Sequence, residues 1–445
     1  MTTDENGLTV SGANAAALAD YEKAADELLC YLGDPVSSVG RALVQSPGFT
    51  MAHYLQAWLY LVGSECSGLA MARTALEAAA PLAHNPREAA HREAITAVAT
   101  GRIDAAQDSL ESLLVQHPRD LLALQVAHLF DFYRGDARNL RDRPARVLHA
   151  WSRQDRRYHA LRGMQAFGLE ECNLYDEAEQ LGREALALNP RDCWAHHAVT
   201  HVFEMRGRTE DGITWMRERQ PQWADNSFFA IHHWWHWALF HLELDQIEPV
   251  LALYDQRLRG TASVLVLDLV DASALLWRLK LRGVDVGPRW AALADAWAPF
   301  AVDDNYAFNS FHALMAFVGA HRWDLVQTVI ENLSRQAQGV GVSAGSNQAM
   351  ARDVGLPASQ GLLDFARADY LGAVQHLLPV RQLAHRFGGS HAQRDVIELT
   401  LIEAAQRSGQ WALLRALASE RLSHKANSPL SRRYQQSASQ QLTVT

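Results

Sequence analysis

The chain has 445 residues and a net charge of −9, with 48% hydrophobic and 20% charged residues. The hydrophobic content is enough for a core. The negative net charge argues against a nucleic-acid partner, because nucleic-acid binding needs a stripe of basic residues. Four cysteines without a CxxC pair predict no disulfide framework, and no apolar run reaches the roughly 20 residues that span a bilayer, so no membrane partner is expected. The polar, acidic start is unlike a signal peptide, and the sequence therefore predicts a soluble cytoplasmic protein.

Residues 1–13 are expected to form a flexible N-terminal tail, after which helical periodicity dominates and strand signals are nearly absent. Two segments, beginning at Ile103 and Tyr175, align without a gap and both end in Pro-Arg-Asp. Their offset is close to two tetratricopeptide periods of about 34 residues. Each segment predicts the second helix of a hairpin, and Asp120 or Asp192 after it predicts the N-cap of the next helix.

Further second helices are predicted along the rest of the chain. They begin at Thr209, Ile247, Trp323, Tyr370 and Trp411. One helical hairpin does not bury its own apolar face, so neighbouring hairpins must stack. We therefore predict an all-α fold, a tetratricopeptide-like solenoid of helical hairpins that forms a single continuous body over residues 14–424. A Gly/Ser-rich loop insertion is predicted at about residues 336–361, and a C-terminal tail over residues 425–445.

Two predicted helices carry histidines one turn apart. His197 and His201 form one pair, and His232 and His236 form the other. Because residues four apart share a helical face, each pair directs two imidazoles the same way. Histidine is the commonest metal ligand and the usual acid or base near neutral pH, so these four residues are candidate metal ligands. Glu204 extends the first stripe to HxxxHxxE, which lacks the catalytic glutamate of the HExxH proteases.

Polar residues also interrupt two further apolar helices. Asp268 and Asp271 lie three residues apart in one helix, Asn309 and His312 do so in another, and Trp235 adds an aromatic wall beside the second histidine pair. Buried carboxylates cost free energy unless they are paired, hydrogen-bonded or metal-bound. Polar packing explains any single histidine best, whereas for the combined set a shared ligand pocket is as well supported as packing. A cysteine-free His/Asp/Glu set suits Zn, Fe or Mn without choosing among them.

Two Arg-Asp dipeptides stand in the C-terminal third, Arg352-Asp353 and Arg394-Asp395. Arginine is suited to bidentate binding of carboxylate or phosphate, and the Gly-Gly-Ser run before the second dipeptide could present free N–H groups to an anion. The structural alternative is that Ser390 is an N-cap and that the Arg-Asp pairs brace adjacent repeats. Both interpretations stay open for the arginines, and the structural one is favoured for the aspartates.

Six motifs, in chain order, resemble those of the tetratricopeptide repeat protein 38 family, in the form of a bacterial-type member. They are HAVTHVFEMRGRTEDGI, HWWHWALF, DLVDASALLWRLKLRGVDVGPRW, ARDVGLP, GGSHAQRDV and NSPL. The resemblance runs from about Leu18 to about Leu430 and includes every candidate residue named above. It implies an all-helical cytosolic protein without an established general reaction. These motifs are unusually polar for tetratricopeptide repeats, which suits a site better than a scaffold.

The leading hypothesis is a central pocket, lined by His, Asp, Arg and Trp, that binds a small or peptide-like anionic ligand. In this pocket Asp268 and Asp271 orient the imidazoles, and the two dipeptide arginines bind the ligand's carboxylate or phosphate. An alternative is an enzyme that uses the same pocket, as a metal-assisted or acid/base hydrolase or an oxygenase, with His201, His236 and Asp271 as catalytic residues. A third is a protein–protein adaptor, the usual role of this repeat. The oligomeric state is left open.

Overall fold

The computed structural model describes residues 2–340 and 345–444, and one helix follows another through nearly all of them. The first helices are α1 (Ala15–Cys30), α2 (Pro35–Gln45), α3 (Thr50–Leu61), α4 (Cys66–Ala79), α5 (Pro86–Ala99), α6 (Ile103–Gln116), α7 (Leu121–Tyr133), α8 (Ala137–Val147), α9 (Tyr158–Glu171), α10 (Tyr175–Leu188), α11 (Cys193–Met205), α12 (Thr209–Glu218) and α13 (Gln220–Trp223).

The later helices are α14 (Ala230–Glu243), α15 (Ile247–Leu253), α16 (Val266–Leu281), α17 (Arg289–Trp297), α18 (Ala307–Gly319), α19 (Trp323–Ala337), α20 (Ser346–Met350), α21 (Leu356–Ala366), α22 (Tyr370–Val380), α23 (His391–Arg407), α24 (Trp411–His424) and α25 (Pro429–Val444). Short 3₁₀ segments (Leu148–Ala150, Ala298–Phe300, Ala384–Phe387) and π-helical turns (Tyr254–Leu258, Ala351–Gly355) lie between them. The predicted all-α fold of helical hairpins is confirmed. Every second helix that the sequence predicts begins at its predicted residue: these are α6, α10, α12, α15, α19, α22 and α24.

The chain divides into two compact units. Unit 1 comprises Met1–Val199, Gln220–Ala230 and Val342–Ser346, and unit 2 comprises Thr200–Arg219, Ile231–Gly341 and Asn347–Thr445. The sequence predicts one body over residues 14–424, whereas the contacts assign this range to two units. Periodicity reveals which face of a helix is buried, and it carries no information about which distant helix covers that face. No helix of the described residues is long and apolar enough to cross a bilayer.

The predicted N-caps are confirmed, and two of them belong to a repeated contact in unit 1. Asp120 and Asp192 each accept the backbone N–H three residues later, at 3.0 and 2.9 Å. The other oxygen of each carboxylate bonds a histidine of the preceding helical hairpin, His91 at 3.0 Å and His159 at 2.7 Å. Ser390 likewise caps α23, as the structural interpretation of that segment predicts. These His–Asp pairs therefore join successive hairpins.

Residues near the N-terminus form a hairpin where the sequence predicts a flexible tail over residues 1–13. β1 (Thr2–Thr3) pairs antiparallel with β2 (Thr9–Val10). The Arg87 guanidinium, on α5, donates to the Thr9 carbonyl at 3.1 Å. The donor that fixes this segment is thus far away in the sequence, and the segment's own composition gives no sign of it.

The predicted C-terminal tail, residues 425–445, contains α25. Leu430, Tyr434 and Ala438 are buried at four-residue steps along one face of this helix, and the Tyr434 hydroxyl donates to Glu403 Oε1 at 2.6 Å. Three apolar positions among Ser, Gln and Arg form a stripe too narrow to stand out as a periodic pattern.

The Gly/Ser-rich insertion predicted over residues 336–361 is partly helical. α20, the π-helical turn Ala351–Gly355 and the start of α21 follow one another through its second half. Residues 341–344 lie outside the described residues. Glycine and serine suggest a loop by composition, but five-residue helical pieces are too short for a periodic signal.

The core of unit 2 is built around α16. This helix packs against α17, α18 and α23. Buried indole groups tie the layer together, because Trp277 Nε1 donates to Thr400 Oγ1 at 3.0 Å and Trp297 Nε1 donates to Ser273 Oγ at 2.8 Å. α16 therefore has a fixed rotation, which decides where its polar residues point.

Candidate functional site

Three of the four paired histidines lie together in unit 2. His201 is on α11, and His232 and His236 are on α14. One ring nitrogen of each histidine lies within 4.8 Å of one in each of the others. His201 and His236 are fully buried, and the side chain of His232 is 13% exposed. Their two helices thus bring three imidazoles to one place, which we call the histidine cluster.

Two carboxylates hold the outer nitrogens of this cluster. His232 Nδ1 donates to Asp271 Oδ2 at 2.7 Å, and His236 Nδ1 donates to Glu204 Oε2 at 3.0 Å. Because an ionised carboxylate only accepts hydrogen bonds, each Nδ1 carries the proton, and each Nε2 of a neutral ring has a lone pair. The Nε2 atoms of His232 and His236 face each other at 3.2 Å.

His236 is held in its neutral form. Burial lowers its pKa well below the usual value for histidine, and the nearby His201 and His232 lower the pKa further. A neutral imidazole whose Nδ1 is engaged by a carboxylate presents a basic Nε2. That is the state in which histidine binds metals or accepts a proton.

Asp268 lies one turn before Asp271 on α16 and has a different partner. The Ser263 hydroxyl donates to Asp268 Oδ2 at 2.6 Å. Burial raises the pKa of Asp268 to about 6, although the Ser263 hydrogen bond lowers it. Asp271 bonds an imidazole, whereas Asp268 bonds a nearby hydroxyl, so the two predicted carboxylates do not act as one pair.

Several buried polar atoms in unit 2 have no hydrogen-bond partner among the described residues, and they include Asp271 Oδ1, Trp235 Nε1 and His312 Nε2. Trp235 stacks on His232 with 5.3 Å between ring centroids. A buried polar atom without a partner costs about 1–3 kcal/mol, and such atoms are rare in folded proteins unless a ligand, ion or water completes them. The Asp271 and Trp235 atoms belong to residues that touch His232, so part of the unsatisfied hydrogen-bonding capacity of unit 2 lies beside the cluster.

His312 and Asn309 lie on α18, which packs against α16. Both are buried. His312 Nδ1 donates to the Phe308 carbonyl at 2.8 Å, and burial lowers the pKa of His312 to about 3. His312 is therefore neutral, with a buried acceptor nitrogen.

Arg278 is a candidate that the sequence motifs did not single out. It is 4% exposed, donates to the backbone carbonyls of Ala274 and Ala392 at 3.1 and 2.6 Å, and has no Asp or Glu side chain within ion-pair distance among the described residues. Its guanidinium lies 5.5 Å from the Trp235 ring centre. The sequence does contain a pattern that points to Arg278, because Arg278 follows Asp271 by seven residues and so shares its helical face.

Arg278 and Glu204 line a cleft in unit 2, about 630 Å³ in volume including space open to solvent. Its other polar lining residues are Thr209, Glu243, Arg282, Asp395, Arg421, Lys425 and Tyr434, and its apolar ones include Leu239, Phe240, Leu281, Leu399 and Leu430. Glu204 belongs both to this cleft and to the histidine cluster. The cleft therefore reaches the cluster through the carboxylate that holds His236.

His197, the fourth of the paired histidines, belongs to unit 1. Its ring stacks on Phe167 with 5.1 Å between centroids, lies 4.9 Å from Trp194 and meets Phe229 edge-on at 5.2 Å. It precedes His201 by one turn of α11. These contacts describe an imidazole packed among aromatic rings.

The two Arg-Asp dipeptides lie in different surroundings. Arg352 is 59% exposed and donates to its neighbour Asp353 at 2.7 Å. Asp395 forms an ion pair with Arg421 and lines the cleft, whereas Arg394 donates to the backbone carbonyl five residues earlier. In the described residues, therefore, Asp395 reaches the cleft lining and the first dipeptide does not.

No family model matches the chain. Among solved structures, a monomeric mutant of IFIT1 with Gppp-AAAA is 14% identical, with 94% of each chain covered and a TM-score of 0.41. The TPR domain of P58(IPK) is 13% identical, with 97% of this chain and 99% of that chain covered and a TM-score of 0.23. Likenesses this weak carry no argument, and the fold assignment rests on the helices described above.

Proposed function

We propose that this chain is a helical repeat protein whose second unit binds a small or peptide-like anionic ligand in the cleft beside Arg278. The observation that supports this most is the buried guanidinium of Arg278, which has no carboxylate counter-ion among the described residues. A buried charge without a partner costs several kcal/mol, and the burial of Arg278 lowers its pKa accordingly. A carboxylate or phosphate on a ligand would supply the missing charge.

The carboxylates nearest to Arg278 are each engaged elsewhere. Asp395 is paired with Arg421, Glu204 bonds His236, and Asp271 bonds His232. Asp271 keeps one oxygen without a partner, but none of the three carboxylates lies within ion-pair distance of Arg278. This supports an external anion as the counter-charge.

The lining of the cleft suggests the rest of the ligand. Four basic side chains face three acidic ones there, and leucine and phenylalanine form much of the remaining wall. Binding sites for small molecules combine an apolar wall with a few placed polar groups. We therefore propose a ligand with one acidic group and an apolar portion, such as a fatty or aromatic carboxylate or a peptide C-terminus.

The motif resemblance to the tetratricopeptide repeat protein 38 family is compatible with this proposal, since it implies a polar site on a cytosolic helical-repeat scaffold. We propose membership of that family and a cytoplasmic location on the same basis. The enzyme alternative would use the same pocket for chemistry and so shares the need for a bound anion. The adaptor alternative needs none.

The experiment uses octanoate and inorganic phosphate as probes, with tryptophan fluorescence and melting temperature as readouts, because Trp235 lies against Arg278. We expect saturable octanoate binding that quenches fluorescence and raises the melting temperature. Arg278→Gln should weaken that binding at least tenfold, since a hydrogen bond to a charged group contributes about 1.5–3 kcal/mol and 1.4 kcal/mol is tenfold in affinity.

Arg282→Gln is the matched control, because Arg282 lines the same cleft but is already paired with Asp245. Equal losses in both variants would show a general charge effect and contradict the role of Arg278. Arg278→Lys tests folding, since it keeps the charge. If neither probe binds the wild-type chain while a folded protein partner does, the adaptor function is the better account.

A further inference from the structure

We infer that the histidine cluster of unit 2 is a binding site for one divalent transition-metal ion of the zinc class, with His201, His232 and His236 as ligands. The inference concerns this cluster alone and does not depend on the anion proposed for the cleft. Its starting point is the pair of imidazole nitrogens that face each other at 3.2 Å.

Two lone pairs directed at each other repel unless a cation lies between them. Carboxylates occupy Nδ1 of both His232 and His236, so in the neutral rings both Nε2 atoms are acceptors. Two nitrogen ligands of a tetrahedral zinc ion, each at about 2.0–2.1 Å from the metal, lie about 3.3 Å apart. The observed 3.2 Å separation therefore matches two positions on one ion.

The third ligand and the surrounding charges fit the same ion. A ring nitrogen of His201 lies within 4.8 Å of those of His232 and His236, so three imidazoles can converge on one point. The carboxylates of Asp271 and Glu204 balance a double positive charge from outside the ligand shell. Metal-binding histidines almost always donate their other N–H to a carboxylate or a carbonyl, which fixes the ring and raises its basicity.

Ordinary His–Asp pairs in this chain show a different arrangement. In unit 1, Asp120 is an N-cap that also bonds His91 Nε2, and His91 Nδ1 accepts from Trp58 Nε1 at 3.1 Å. Both nitrogens of that imidazole thus have complementary partners. Asp271 by contrast lies inside α16, caps nothing and keeps one oxygen without a partner. The His232–Asp271 pair in unit 2 therefore does not connect successive hairpins as the His91–Asp120 pair does.

A path for the ion exists at His232. Its side chain is 13% exposed, whereas His201 and His236 are fully buried. Zinc, Fe(II) or Co(II) suits an all-imidazole set, because nitrogen ligands of intermediate softness favour such ions over Mg²⁺ or Ca²⁺.

The test uses the full chain, stripped with a chelator and titrated with Zn²⁺ alone by calorimetry and with Co²⁺ alone by visible absorption. We expect one ion per chain, Co²⁺ ligand-field bands and a rise in melting temperature. His232→Gln and His236→Gln should each abolish stoichiometric uptake. Asp271→Asn should keep one ion per chain but weaken its affinity 10–100-fold, as expected for a residue that orients a ligand.

The control variant is His91→Gln, which removes a buried histidine of a His–Asp pair in unit 1. It should lower the melting temperature and leave the uptake of one zinc unchanged. His232→Gln is the variant least disruptive to the fold, because His232 is the least buried of the three ligands. Circular dichroism tests whether each variant is folded. The inference is overturned if the wild type takes up no stoichiometric Zn²⁺ or Co²⁺, or if folded His232→Gln and His236→Gln bind as tightly as the wild type. In either case the 3.2 Å contact would be a shared proton.

Discussion

The same two side chains, histidine and aspartate, take on different roles according to where the aspartate lies. Asp120 and Asp192 sit at helix N-caps, so backbone N–H groups satisfy one carboxylate oxygen and a histidine satisfies the other. Asp271 is in the second turn of α16, where the backbone N–H groups are already used by the helix. Its second oxygen is therefore available to a ligand. An aspartate at an N-cap connects successive hairpins, whereas an aspartate inside a helix can take part in a binding site.

Asp4, in the N-terminal hairpin, gives a pH prediction. Burial raises its pKa from 3.8 to about 6; the Leu8 N–H and Arg87 oppose this shift, and Glu22 and Asp120 reinforce it. A carboxyl whose pKa is raised by folding stabilises the fold fully below its unfolded pKa of 3.8. That contribution is lost as the pH rises through about 6.

We therefore expect Asp4→Asn to resemble the wild type below pH 4 and to be more stable at pH 7.5. The gain is up to about 3 kcal/mol, from a shift of about two units at about 1.4 kcal/mol each. Melting curves of both proteins across this pH range measure the difference. Asp108→Asn, an exposed change on α6, should show no such trend. A constant difference between Asp4→Asn and the wild type at all pH values would contradict the raised pKa.

Part of the candidate site can be predicted from the sequence, because residues three or four positions apart in a helix share a face whatever the tertiary structure is. The sequence identifies His201, His232, His236 and Asp271 through three- and four-residue steps, and the structure brings these residues together in unit 2. It does not identify Arg278, whose significance comes from an absent counter-ion, a property of the residues packed around it.

At the scale of the element, α25 gives the clearest prediction. Ala438 is fully buried on the face of α25 that also buries Leu430 and Tyr434, and α25 packs against α24. Ala438→Arg places a long charged side chain in that contact, and we expect α25 to detach. Hydrogen exchange should then accelerate over α25, and limited proteolysis should remove it.

Gln440→Arg is the control for this change, since Gln440 is exposed on the same helix. It should leave exchange and proteolysis unaltered. Because Leu430 and Tyr434 also line the cleft, Ala438→Arg should weaken octanoate binding as well. Unchanged protection of α25 in Ala438→Arg would mean that the helix does not depend on this face.

The helices most easily predicted are those with strong local start signals. α6 and α10 begin at their predicted residues because a tight turn, an acidic first turn and a small packing residue repeat in both. α25 and the β1–β2 hairpin escape prediction because distant partners hold them, as Glu403 holds Tyr434 and Arg87 holds Thr9. Local chemistry fixes where a helix begins, and tertiary contacts decide whether a weakly patterned segment folds at all.

At the scale of the whole chain, the distribution of charge favours a small anion over a polyanion as the proposed ligand. The chain carries 41 basic and 50 acidic residues. Nucleic-acid binding requires several cations along one track, because each neutralised phosphate releases counter-ions and contributes to affinity. Of the four basic residues that line the cleft, Arg282 and Arg421 are already paired with Asp245 and Asp395. Among the described residues Arg278 and Lys425 have no acidic partner within ion-pair distance, and of these two Arg278 is the buried one. Two such cations suit one small acidic group and are too few for a phosphate chain.

We therefore expect no saturable binding of labelled single-stranded RNA at about 150 mM salt, where non-specific binders have dissociation constants of about 10⁻⁴–10⁻⁶ M. Fluorescence anisotropy of the RNA measures this, with octanoate binding to the same preparation as the positive control. RNA binding that is saturable, falls steeply with salt and is lost in Arg278→Gln would place a phosphate chain in the cleft. Such a result would contradict the single-anion ligand, since Arg278 would then be one of several phosphate contacts and octanoate would bind only weakly.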